Sequence, residues 1–141
     1  MSDLGDALVQ YAVNRLGKRV GRGECWDLPF HGLQAVGAKT PHDLGSDLYV
    51  WGEPISLSEA GPGDVLQFEG VFIRRTWSDG REQTWNFRTK HSAIVESRNG
   101  IFFHLLNQHI QGKKIVTRLE IPLGDEFITR GTVRAYRPIK K

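Results

Sequence analysis

Apolar residues recur at two spacings along this chain, and the change of spacing divides it. Leu4, Leu8, Ala12 and Leu16 fall four apart, with Tyr11 alongside. That stripe predicts an amphipathic helix over residues 3 to 16, stopped at Gly17. A glycine-bearing loop, "GRGE", follows. A second helix is expected from about Cys25 to Val36, because Pro29 is tolerated only in a first turn and Gly37 can close it. Residues 38 to 62 are rich in Gly, Pro, Ser and Asp and read as a long irregular connection.

Beyond residue 63 the period shortens to two. "DVLQFEG" and "VFIRRTW" are candidate strands near 64 to 77. "WSDGREQTW" predicts a hairpin around Asp79-Gly80. "HSAIVES", a turn at Asn99-Gly100, "IFFHLLNQ", "KKIVTRLEI" and "TVRAYRPI" complete the set. Helices first and antiparallel strands afterwards predict an α+β domain filling residues 1–141, with the helices packed on the sheet. No internal repeat or low-complexity segment interrupts this order.

The only cysteine, Cys25, stands at the expected start of the second helix. A helix N-terminus favours a thiolate, and the neighbouring N–H could hold an oxyanion. Gly21 and Gly23 leave room for a substrate beside the backbone. The alternative is a buried structural thiol. A nucleophilic cysteine needs a base on a separate element. His31 is nearly two helical turns past Cys25, and His42 lies in the irregular segment. His91 opens a strand, and alternation places it with Ala93 and Val95 on a core-facing row. On the next strand Phe103, Leu105, Asn107 and His109 share a face, and His104 falls opposite with Leu106. The Asn99-Gly100 turn brings that strand beside His91, so Asn107 or His109 could orient the imidazole. Glu24, directly before the thiol, would raise its pKa.

Charge and composition narrow the classes. At 141 residues, with 39% hydrophobic and 25% charged positions, the chain can bury a core without staples. One cysteine makes no internal disulfide. The N-terminus has no apolar signal region and no run is long enough for a membrane span, so the chain is expected in the cytoplasm unless another route exports it. The net charge is +3, but Arg74-Arg75, Lys113-Lys114 and Lys140-Lys141 are scattered, which argues against nucleic acid. CxxC and HExxH spacings are absent, so no metal or other cofactor is expected.

"LGKRVGRGECWDL" resembles the nucleophile segment of the NlpC-type and CHAP cysteine hydrolases, which have a papain-like fold. "GPGDVLQFEG" resembles the Gly-Asp strand that follows there, and "HSAIVES" the strand carrying the catalytic base. "LLNQHIQG" resembles the CHAP segment Ile/Leu-Glu-Gln-Asn, with Asn107 at the Glu position and His109 at the Asn position. "GTVRAYRP" resembles the closing strand, so the pattern runs from Leu16 to Pro138. The chain is also similar to the cysteine-proteinase-fold domain of fungal cortical actin-patch proteins, which shares the inserted strand region and the terminal "YRP". The resemblance implies a thiol hydrolase of amide or peptide bonds using Cys25, His91 and Asn107 or His109, acting on peptide or peptidoglycan-like substrates. The other class is a non-catalytic module that binds a protein partner, in which Trp26, Trp51, Trp77 and Trp85 would be the residues of interest.

Overall fold

The computed structural model describes residues 3–45 and 47–141, with Arg88 described by its backbone alone. Helices α1 (Asp3–Val13), α2 (Asp27–Ala35) and the single turn α3 (Pro41–Leu44) come first. Six strands follow: β1 (Glu53–Ile55), β2 (Val65–Thr76), β3 (Glu82–Asn99), β4 (Phe102–Ile110), β5 (Lys113–Pro122) and β6 (Ile128–Arg137). They form one antiparallel sheet in the order β1-β6-β2-β3-β4-β5.

Period-2 alternation sorts the sheet residues into two cores. Val65, Ile94, Leu106 and Val116 pack under Leu8 and Ala12 of α1, Leu28 and Leu33 of α2, and the buried Trp51. Leu66, Phe68, Ala93, Val95, Phe103, Leu105 and Ile121 form the other core, flanked by Leu57, Trp85, Phe87 and Phe127. Cross-strand partners share a face, so Phe68↔His91 and Ala93↔Asn107 belong to the second core, and Gln67↔Ser92 to the helix side.

The structure departs from the sequence reading in four places. α1 ends at Val13, not at residue 16. Leu16 instead bridges to Val116 in parallel, and Gly17 N–H donates to the Val116 carbonyl at 2.9 Å. α2 begins at Asp27, two residues after Cys25. The connection over 38 to 62 contains regular elements. Thr40 and Asp43 form a reciprocal capping box that starts α3, and β1 pairs with β6. Finally, "VLQFEGVFIRRT" is one strand that bulges near Gly70, and β3 runs unbroken from the predicted hairpin through His91. Cross-strand pairing overrode the weak local signal of "NFRTK".

The Gly-Asp motif has a structural use here. Gly63 has φ of 86°, and a Cβ there would run into the backbone of Gly5 in α1. The buried Asp64 accepts from the Arg137 guanidinium at 3.0 and 3.2 Å, tying the start of β2 to the end of β6. The motif thus seats α1 on the sheet rather than serving chemistry. We expect Gly63→Ala to lower unfolding free energy by about 2 kcal/mol or more, because it adds left-handed strain to a steric clash. Urea denaturation checks this, and a loss under about 0.5 kcal/mol would show that the contact is slack.

Candidate active site

The loop that presents Cys25 has few apolar residues and is held by buried polar groups. Asp27, 2% exposed at the start of α2, accepts from the backbone N–H of Arg22 at 2.8 Å and of Glu24 at 3.2 Å. It also pairs with the Arg22 guanidinium at 3.1 Å. From the sheet, the fully buried Gln108 accepts from Val20 N–H at 2.8 Å. Its amide donates to the carbonyls of Val20 at 3.0 Å and Glu24 at 2.9 Å. Both ends of the loop are therefore fixed to β4 and α2.

Cys25 stands in the turn before α2, so it lacks the full dipole expected of a helix tip. Its sulfur is 3.7 Å from the Lys90 carbonyl oxygen, an acceptor that favours the thiol. Burial pushes the thiol pKa up. The backbone amides of Ser92 and Trp26 pull it down, Glu24 adds to the rise, and the net direction is upward. The effect expected of Glu24 is present, but its carboxylate also has partners. It accepts from His109 Nδ1 at 2.9 Å and from Lys114 Nζ at 3.2 Å, which together lower its own pKa.

His91 is 5% exposed on the second core face, stacked on Phe87 with ring centroids 4.7 Å apart and planes 9° apart. Phe68 lies against it at 5.8 Å. Its Nε2 is 3.1 Å from Asn107 Oδ1. Asn107 Nδ2 donates to the Thr117 carbonyl at 3.1 Å, so Oδ1 is the atom left to accept. Nε2 therefore carries the proton, and Nδ1 is the basic nitrogen. Burial lowers the His91 pKa to about 4; the Asn107 contact opposes this, and nearby His109 adds to it.

The structure brings together some of the expected residues and not others. His91 and Asn107 meet as expected. His109 does not take the orienting place: its backbone is left-handed, φ 65°, which breaks the alternation of β4 and turns its ring to Glu24. Among the described hydrogen bonds, none joins Cys25 to His91. Cys25 and His91 border different cavities, although the Cys25 sulfur lies against the backbone on either side of His91, at the Lys90 carbonyl and the Ser92 amide. One of about 480 Å3 is bordered by Cys25, Trp26, Leu48, Tyr49 and Lys90. The other, about 370 Å3, is bordered by Phe87, His91, His109 and Leu119. His104, as expected, lies away from the site, 3.9 Å from Glu120. Gln108 and Asp27 were missed by reasoning from sequence alone. Gln108 had a signal: it lies between two singled-out positions on the opposite, helix-facing side of β4.

Helices on one face of an antiparallel sheet, with a cysteine loop entering the second helix and a histidine on a sheet strand, define a cysteine-proteinase fold. Residues 1–141 match the AIM3/BBC1 cysteine proteinase-fold domain, and the chain belongs to that family. One relative is the Altered inheritance of mitochondria protein 3 of Debaryomyces hansenii, 28% identical over 152 residues. The match takes in 96% of this chain and 16% of that protein, so this chain spans a small part of the relative's length. The solved structure described as "The crystal structure of Ly7917" shares the fold, with a TM-score of 0.56 at 16% identity over 95% of this chain and 62% of that one. The expected α+β class and the likeness to the fungal cysteine-proteinase-fold domain are both borne out.

The buried imidazole makes stability depend on pH. The folded His91 pKa of about 4 lies below the ordinary 6.5, so between those values the unfolded chain binds more protons. Stability is then complete above pH 6.5 and falls by roughly 3 kcal/mol as pH drops to 4. We expect His91→Gln to flatten the slope across this window in urea titrations at stepped pH. An unchanged slope would place the proton uptake elsewhere.

Proposed function

We propose that this domain is a non-catalytic protein-interaction module built on a cysteine-proteinase fold. One observation carries the reading: His91 is buried against Phe87 and Phe68 with its Nε2 held by Asn107, and among the described hydrogen bonds none joins it to Cys25. A thiol hydrolase of this type works through a thiolate and an imidazolium. Burial here opposes both charges, raising the thiol and lowering the imidazole.

The Cys25 cavity has the makings of a peptide groove. Trp26 is held rigid, with Nε1 donating to the Leu48 carbonyl at 2.8 Å and its ring stacked on Phe30 at 4.5 Å. Leu48 is 50% exposed, and the Lys90 ammonium lies over the Tyr49 ring at 4.3 Å. Rigid aromatic anchors beside an exposed leucine suit an apolar side chain of an extended segment, and the cations at the border, Arg22 and Lys90, are already paired with Asp27 and Glu69. On this reading Cys25 is a small wall residue of the groove, and the partner is a protein.

A second reading rests on the His91–Asn107 bond, which leaves Nδ1 as a base. His91 would take the Cys25 proton, and the sulfur would attack an amide carbonyl. The amine would leave with that proton, and water would cleave the thioester, releasing acid and thiol. Amide or peptide bonds, including those of peptidoglycan, would be its substrates.

Peptide display against the purified domain separates the two. The module reading expects selected peptides to stay intact, to bind Cys25→Ala as tightly as wild type, and to lose about tenfold or more in affinity to Leu48→Asp. Cleavage of a selected peptide by wild type and not by Cys25→Ala would overturn it in favour of the hydrolase.

A further inference from the structure

A third cleft lies between the C-terminal end of α1 and the glycine loop, and neither reading of the Cys25 region uses it. It measures about 570 Å3 and is lined by Tyr11, Arg15, Lys18, Arg19, Gly21 and His31, with no carboxylate in its wall. Among the described residues, Arg15, Lys18 and Arg19 form no salt bridge. Their neighbours differ: Arg22 is matched by Asp27, and Lys114 by Glu24. The nearby acids are thus already engaged, and three like charges crowd one concavity. That arrangement is unfavourable unless an anion joins it.

The two arginines are positioned without being neutralised. Arg15 Nη1 donates to the Tyr11 carbonyl at 3.0 Å, and its guanidinium lies over the Tyr11 ring at 3.6 Å. Arg19 Nη2 donates to the Arg22 carbonyl at 2.9 Å. Each bond fixes a guanidinium yet uses one of five N–H donors, so a fork remains on each. Gly21, with φ of 58°, completes the wall. A Cβ there would meet His31 Nε2 at 2.8 Å, so the missing side chain leaves space for the imidazole.

We propose that this cleft binds a phosphate monoester carried on a side chain of a partner peptide. A phosphate presents about two negative charges and three acceptor oxygens at one point, which suits two guanidinium forks, an ammonium and an imidazole. A carboxylate brings one charge and fewer acceptors. The concave shape selects a peptide over a lipid surface. Arg15 and His31 are half-buried in the wall, where a projecting side chain reaches them and a flat layer of headgroups does not. This site stands independently of the groove at Cys25.

The test uses three fluorescein-labelled pentapeptides with a central phosphoserine, serine or glutamate, measured by anisotropy. Liposomes of phosphatidylcholine with a phosphatidylinositol phosphate form the fourth arm. The phosphoserine peptide is expected to bind at least about tenfold more tightly than the other two. Arg19→Gln and Lys18→Gln, both exposed and outside the core, are each expected to weaken it about tenfold, while Lys140→Gln leaves it unchanged. In NMR titration its amide shifts should gather at residues 15, 18, 19, 21 and 31. Equal affinity for all three peptides, insensitivity to Arg19→Gln, or shifts spread over all surface cations would overturn the proposal. Binding to liposomes without binding to the phosphoserine peptide would overturn it in favour of a membrane.

Discussion

Two adjacent amide side chains on β4, Asn107 and Gln108, hold the Cys25–His91 region in place. A strand sends neighbouring side chains to opposite faces, so one pair of residues can serve two layers. Asn107 reaches His91 in the second core, and Gln108 reaches Val20 and Glu24 on the helix side. Both amides are fully buried, and no buried side-chain polar atom among the described residues lacks a partner. Buried amides without partners would each cost about 1–3 kcal/mol, so the loop and the histidine are both strongly specified. The left-handed turn at His109 follows directly and hands the next side chain to Glu24.

That constraint also decides the electrostatics. Fixing the loop through backbone carbonyls and amides leaves Cys25 half-buried, with a carboxylate as its sequence neighbour. Fixing His91 through a neutral amide, between two phenylalanines, supplies no negative charge to hold a proton on the ring. The layout therefore favours the neutral form of both groups, which suits a binding surface better than an ion-pair nucleophile. Among the described residues, three cations without an acidic partner gather on the far side of the same loop, at Arg15, Lys18 and Arg19. One glycine-rich segment thus borders both the aromatic groove and the basic cleft.

Much of this was legible in the sequence, for identifiable reasons. The period of four at Leu4, Leu8 and Ala12, and the period of two from Val65 onward, gave the helix-then-sheet order. The Asn99-Gly100 turn gave the hairpin, but its register carries only as far as Ser97 opposite His104, and a bulge between Val95 and Ser97 shifts it by one residue to pair Ala93 with Asn107. What could not be read was anything set by long-range pairing. The end of α1 depends on Val116, the start of α2 on the bonds of Asp27 to the loop, and the continuity of β3 on β2. The choice between Asn107 and His109 depended on a single backbone angle, which no spacing rule reveals. Gln108 lies on the face of β4 opposite His91, so the alternation that marks Asn107 gives no sign of the anchor for the Cys25 loop.

The most direct test of the account is the ionisation of Cys25, followed by thiolate absorbance in the far ultraviolet against a Cys25→Ala blank. The account predicts one transition above the ordinary thiol value of 9.0, unmoved by His91→Gln. A thiolate already formed near pH 6, and lost when His91 is replaced, would reveal a working thiolate–imidazolium pair and contradict it.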